Sequence, residues 1–325
     1  MSTVLVTGAG GAAVPGLIRG LQAQGYRVVA VDTNPQAAGL YLADVGRVIP
    51  EGRSDDFLPA LRQICRREQV DVVMPLVDEE LVKATELGTD VLGVILPHRQ
   101  FVELCLDKGQ LMTALGAIGV PVPETQTASA DWRGIQYPVI AKPRTGRGSR
   151  GVALLHEAVA LQDHLNAVGV APDQMLLQSF IDGPEYTVSV VAWRDGSTQA
   201  VVPKLILKKQ GITQLAVTER VPAIDAVCRT IQARLRADGP FNVQLRIDRA
   251  GRPVVFEINP RFSTTVSLTV AAGVDEPGML VRQALGGPPV ENDQWTAGLV
   301  LVRQTTDVFL DEARFHQRAA ELSVR

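Results

Sequence analysis

The stretch NVQLRIDRAGRPVVFEINPR, residues 242–261, reads as two β-strands joined by a tight turn at Arg249-Ala250-Gly251-Arg252. Glycine supplies the turn, and Val, Ile and Phe suit pleated arms. If Asp248 pairs with Pro253, then Leu245 faces Phe256 and Gln244 faces Glu257. Alternation then places Val243, Leu245, Ile247, Val254, Phe256 and Ile258 on one apolar face. Gln244, Arg246, Asp248, Glu257 and Asn259 occupy the other. Glu257 and Asn259, two apart, present a carboxylate and an amide oxygen side by side, and Gln244 adds a third oxygen from the neighbouring strand. Hard oxygens in this number suit Mg²⁺, which keeps waters and takes its remaining ligands from substrate phosphates; Mn²⁺ is an alternative. Pro260 ends the ladder, and Arg261 presents a fixed cation there. An ordinary hairpin with one polar face has the same pattern, so the rest of the chain must decide.

The 325 residues suffice for two or three domains, with 46% hydrophobic and 21% charged side chains, ordinary values for a globular protein. A net charge of −3 offers no electrostatic footprint for nucleic acid or an anionic membrane. Cys65, Cys105 and Cys228 lie far apart without a disulfide-like pattern, which fits a reduced, cytoplasmic setting. The four histidines have no zinc spacing. The N-terminus enters strand-like Val4-Leu5-Val6 without signal-peptide features, and no apolar run is long enough for a bilayer.

Residues 1–98 alternate strands (Thr3–Val6, Tyr26–Val31, Asp71–Pro75) with helices (Val14–Gln24, Leu58–Glu68), predicting a doubly wound parallel sheet. The turn Gly8–Ala13 with Asp32 beyond the next strand resembles a dinucleotide fingerprint. The favoured reading is a tight strand-to-helix turn without a cofactor, because better phosphate-binding apparatus lies elsewhere in the chain. Asp78-Glu79-Glu80 is either a helix N-terminus balanced by acids or a patch that orients a substrate amine.

Residues 100–116 form a helix bearing Asp107-Lys108, and Val120–Pro123 is an extended hinge. The strand Tyr137–Lys142 then meets PRTGRGSRG, residues 143–151, before a second strand at Val152–Leu155. This glycine-rich loop lacks the ending of a Walker loop, but its amides, with Lys142, Arg147 and Arg150, suit phosphate oxygens. Met175–Ile181 is a strand leading to a turn at Asp182-Gly183-Pro184. Such a chain can read a planar base through its backbone groups, and a carboxylate a few residues on can take ribose hydroxyls, but Glu185 alone reads as a solvated strand end. The basic segment 204–220, with Lys204, Lys208, Lys209 and Arg220 around Gly211, reads as a mobile loop. An amphipathic helix at 223–237 leads into the hairpin, and signals fade beyond about 285.

The order of these parts resembles the ATP-grasp superfamily, and among its members short single-module relatives of the carbamoyl-phosphate synthase large subunit. Lysine on a helix, lysine before a glycine-rich hairpin, a base-binding hinge with Glu, then NVQ and EINPR carry the likeness over residues 1–285. The resemblance implies an α/β architecture: a doubly wound N-terminal domain (1–98) beside a grasp domain (99–325), with a mobile lid at about 120–180 and an antiparallel catalytic sheet. It implies that the N-terminal domain binds no NAD. Lys108 and Lys142 would contact ATP phosphates, and Gly146, Arg147, Gly148, Ser149 and Gly151 would close over them. Gln178, Phe180 and Ile181 would form the adenine hinge, and Glu185 would hold the ribose. Gln244, Glu257 and Asn259 would serve Mg²⁺. Arg261 would be the catalytic cation, accompanied by Lys204 and Arg246.

The implied activity is ATP-dependent ligation of a small carboxylate to an amine through an acyl phosphate. Alternatives are a small-acid kinase, a non-catalytic ATP-binding regulator and, from the Gly8–Ala13 turn alone, a nicotinamide oxidoreductase. Small-molecule acids and amines are the implied partners. A homodimer through an exposed sheet edge is an open expectation.

Overall fold

Near-continuous apolar runs such as Val4-Leu5-Val6 and Val28–Val31 need cover on both faces, which a parallel sheet supplies. In the computed structural model, which describes residues 1–129, 136–304, 307–313, 315–316 and 319, they form that sheet. Its strand order is Val45–Val48, Arg27–Asp32, Thr3–Thr7, Val72–Met74 and Gly93–Val94, and all pairings are parallel. Val4, Val6, Val28 and Ala30 pack on one face with helix Val14–Ala23; Leu5, Val29 and Val31 pack on the other with helix Phe57–Glu68. The first of these cores runs on into Val191, Val202 and Leu280, which joins the N-terminal sheet to the large sheet behind it.

The region expected as one helix at 100–116 is two, Arg99–Leu106 and Lys108–Ala117, broken at Asp107. Asp107 caps the second, accepting from the amides of Gly109 and Gln110 at 3.0 Å, so Lys108 stands in its first turn. A four-stranded antiparallel sheet follows in the order Thr125–Thr127, Met175–Ser179, Val139–Pro143, Ala153–Leu155. It occupies the range expected for the lid, of which residues 130–135 lie outside the described residues, as do 320–325 at the end of the expected grasp domain.

The six-stranded antiparallel sheet runs Pro253–Asn259, Phe241–Ile247, Glu185–Ala192, Thr198–Gln210, Ile212–Thr218, Val300–Val302. Residues 204–220 are therefore mostly two long paired strands turning at Gly211 (φ +68°), not a loop. Glycine is needed at that left-handed position.

The hairpin of residues 241–259 keeps Gln244 opposite Glu257, but Leu245 faces Val255, and Ile247 rather than Asp248 faces Pro253. One extra residue, Phe256, makes a β-bulge that shifts the parity of the arm before it. Val255 thus joins Val243, Leu245 and Ile258 in the core, while Phe256 turns to the opposite side. The apolar face expected through Val254 and Phe256 is corrected accordingly.

Candidate active site

The cleft between the lid sheet and the large sheet is lined by Lys108, Lys142, residues 145–150, Gln178, Phe180, Ile181, Glu185, Gln244, Arg246, Phe256, Glu257, Asn259 and Arg261. Lys108 donates to the Gly146 carbonyl at 2.7 Å and stands 3.9 Å from the Glu257 carboxylate. Lys142 donates to the carbonyl of the bulged Phe256 at 2.9 Å. Burial lowers Lys142 to about 8, opposed by the Glu257 charge. Two lysines and one carboxylate thus meet at the mouth of the glycine-rich loop, with cationic groups facing the space where phosphate oxygens would lie.

The loop, from Gly146 to Gly151, runs through four residues of positive φ: Gly146, Gly148, Ser149 and Gly151. Ser149 is the non-glycine among them, held at φ +57°. A side chain at Gly151 would also meet Val168 and Pro143 at 2.9–3.0 Å, so glycine is required twice over there. Arg144, just before the loop, clamps Asp107 through two Nε contacts of 2.9 Å and so ties the loop to the helix that carries Lys108.

At the far end, Glu185 is gripped by Arg246 at 2.7 Å and by Lys209 at 2.9 Å, and the Arg246 guanidinium lies 5.3 Å from the Phe180 ring centroid. Arg246 therefore stands with Phe180 and Glu185 and not with Arg261, so the structure does not group the two arginines as expected. Gln178 is buried and donates to Thr125 at 2.9 Å. Lys204 does not reach the cleft at all. It is fully buried on the same sheet face as the cleft residues Thr187 and Ile206, but farther along it under helix Val266–Ala271, and its ammonium donates to Ser189 at 2.8 Å and Thr269 at 2.7 Å. Its assignment as a catalytic cation is corrected on that ground.

Gln244, Glu257 and Asn259 all line the cleft. Among the described residues no group of three or more His, Cys, Asp or Glu side chains could hold a metal. A cation here would rest on one carboxylate and two amide oxygens, with phosphate completing the shell. That donor set fits Mg²⁺.

A second cleft, of about 700 Å³, opens between the N-terminal sheet and the large sheet. The size suits a small molecule. Residues 10–14, Asp32, residues 49–53, Leu76, Val77, Glu79, Glu80 and residues 261–264 line it, and Arg147, Arg150, Arg261, Ser263 and Thr264 border both clefts. Asp32 accepts from the amides of Gly10 and Asn34, each at 2.8 Å, and so closes its own loop.

Three consecutive acids take three directions. Asp78 pairs with Arg261 Nε at 2.5 Å, and Glu79 pairs with Arg147 Nε at 2.7 Å. Glu80 turns inward, accepting from Thr7 and, at 3.1 Å each, from the amides of Leu76 and Val77. Burial pushes the Glu80 carboxyl up to about 7. The triplet opens a short 3₁₀ turn, with Val77 at the cap position, and does not cap a helix with Asp78. Sequence spacing flagged the acids but could not name partners 68 and 183 positions away. Phe256 and the Asp107–Arg144 clamp were likewise missed; an aspartate immediately before a helical lysine was the available signal.

Residues 171–308 match the family model described as ATP-grasp in the biosynthetic pathway with Ter operon, and residues 4–94 match the PylC-like N-terminal domain. An uncharacterised protein, y4rH, of Sinorhizobium fredii is 29% identical over 213 residues, 58% of this chain and 44% of that one. The carbamoyl phosphate synthase large chain of Methanosarcina mazei is 23% identical over 289 residues, 77% of this chain and 25% of that one. The chain thus spans less than half the length of these relatives. Among solved structures, an ADP complex of N5-carboxyaminoimidazole ribonucleotide synthetase superposes with a TM-score of 0.75 at 17% identity, over 90% of this chain and 79% of that one. An L-amino acid ligase from Bacillus licheniformis gives 0.71 at 17%, over 89% and 75%. Among the described residues no helix is long and apolar enough to cross a membrane. Residues 171–308 thus fall in an ATP-grasp family, one grasp module behind a PylC-like N-terminal domain at residues 4–94.

Proposed function

We propose that the protein is an ATP-dependent carboxylate–amine ligase. The observation that carries this reading is the position of Arg261, which borders both the lysine-lined cleft and the second cleft. ATP lies in the first, its phosphates toward Lys108, Lys142 and the loop of residues 146–151, its base beside Phe180 and Ile181 and its ribose near Glu185. The acid lies in the second, with its carboxylate at Arg261. A carboxylate oxygen attacks the γ-phosphorus in line, the bond to the β,γ-bridging oxygen breaks, and ADP leaves. An amine then adds to the acyl carbon, loses a proton to solvent, and phosphate departs. Arg261 stabilises the negative charge that develops in both steps. Gln244, Glu257 and Asn259 would hold Mg²⁺, which when bound neutralises phosphate charge. The lid and loop exclude water from the acyl phosphate.

The L-amino acid ligase likeness supports an amino acid or a related small acid as substrate. The test is ADP release from Mg-ATP against a panel of small acids, amino acids and amines, with Glu257→Gln beside the wild type. Release that requires an acid and an amine together, and is lost in the variant, is the expected result. Release with an acid alone would make the protein a kinase, and binding of Mg-ATP without release under any combination would make it a regulator.

A further inference from the structure

The glycine-rich loop is poorly held by itself. Its own backbone hydrogen bonds are long, 3.4 Å from Arg150 to Arg147 and 3.3 Å from Val152 to Ser149. Bonds of that length contribute little, so anchors outside the loop decide where it sits. Lys108 fixes the Gly146 carbonyl at one end. Glu79 fixes Arg147 from the other side, and Glu79 belongs to the N-terminal domain.

Glu79 is itself firmly placed. The inward-facing Glu80 ties the turn to Thr7 and to the amides of Leu76 and Val77. Gly52 lies so close beneath that a side chain there would meet the backbone of Glu79 at 2.8 Å. The Arg147–Glu79 pair is 38% exposed on the arginine side and 22% on the glutamate side, so it is partly shielded from solvent.

We infer that Glu79 is a positioning residue for phosphoryl transfer: it latches the phosphate loop, through Arg147, to the wall of the second cleft. Loop order over the nucleotide thereby depends on the domain that receives the second substrate. An acid entering that cleft packs beside the turn holding Glu79, so this ion pair joins the two clefts alongside the Asp78–Arg261 pair from the same turn. The inference rests on the nucleotide reading of the first cleft.

The experiment is a double-mutant cycle on the full chain with Glu79→Gln, Arg147→Gln and the double variant. Two readouts are taken: amide hydrogen exchange of residues 146–151 without nucleotide, and affinity for β,γ-imido-ATP with Mg²⁺. Glu79→Gln is expected to raise loop exchange and weaken the analogue about fivefold to tenfold, while changing neither in the Arg147→Gln background. Arg147→Lys should recover part of the protection, and unchanged thermal midpoints would exclude misfolding. Equal effects of Glu79→Gln in both backgrounds, or none in either, would overturn the latch. A wild type that ignores the analogue while Glu79→Gln still loosens the loop would sink the nucleotide reading and leave the latch standing.

Discussion

Lys142 and Lys204 are both almost wholly buried strand lysines, with 4% and 0% of their surface exposed, and burial lowers both ammonium groups. Their surroundings differ. Lys142 has one protein acceptor, the Phe256 carbonyl, and otherwise borders an open cleft beside Glu257. Lys204 is satisfied by two hydroxyls and lies near Glu276, a buried carboxylate that makes no well-formed hydrogen bond, although the Ser189 hydroxyl stands close enough to favour its charged form. Burial raises Glu276, and the Lys204 charge opposes that rise. A perturbed lysine therefore marks a site only when part of its hydrogen-bonding capacity points into accessible space.

The sharpest way to break this contrast is to remove each ammonium. Lys142→Met should lower ADP release roughly a hundredfold or more, the scale of losing one charge-stabilising donor, with little change in unfolding free energy. A stable, fully active Lys142→Met protein would end the distinction. Lys204→Met should behave in the opposite way. It strands Glu276 without its counter-charge and should cost about 3 kcal/mol of stability in denaturant melts, with Lys204→Met/Glu276→Leu recovering part of that loss. Retained stability in the single variant would show that Glu276 is neutral in the fold.

The smallest test extends the contrast to acids. Glu80 is held up near 7 by burial, so between its unfolded value of 4.5 and about 7 the folded chain binds more protons than the unfolded one. Stability from this group is fully present below 4.5 and falls as pH rises through 7. Relative to Glu80→Gln, the wild type should lose up to about 1.4 kcal/mol per pH unit in that window. Parallel stability curves for the two proteins would contradict a buried, protonated Glu80.

Much of this site could be read from residue order. Val/Ile runs alternating with amphipathic helices dictate a parallel sheet, and the two-residue spacing of Glu257 and Asn259 puts both at the cleft, whereas Gln244 stays opposite Glu257 because the Phe256 bulge offsets a turn one residue longer than expected. Lys204 misled because a run rich in Lys and Gln around glycine resembles a loop. It is instead a 13-residue strand whose outer half is solvated while its inner half is covered by distant residues. The bulge was invisible for a related reason. In Val254-Val255-Phe256 every residue is apolar, so hydrophobicity does not say which one is extra. The partners of Asp78 and Glu79 depend on domain docking, which no local pattern encodes.

The bulged arm also carries the hairpin's attachment to the hinge. Val255, an edge-strand residue, donates its amide to the Pro121 carbonyl at 2.9 Å, while the next carbonyl along, that of Phe256, receives Lys142. One additional residue in a ladder thus lets two consecutive residues grip two different segments at the base of the lid. Substitutions at Phe256 can keep that arrangement, since it is made by the main chain. Shortening the arm by a single residue cannot, because restoring the regular ladder would withdraw one handhold or the other. Length, more than side-chain identity, is what this part of the chain must preserve.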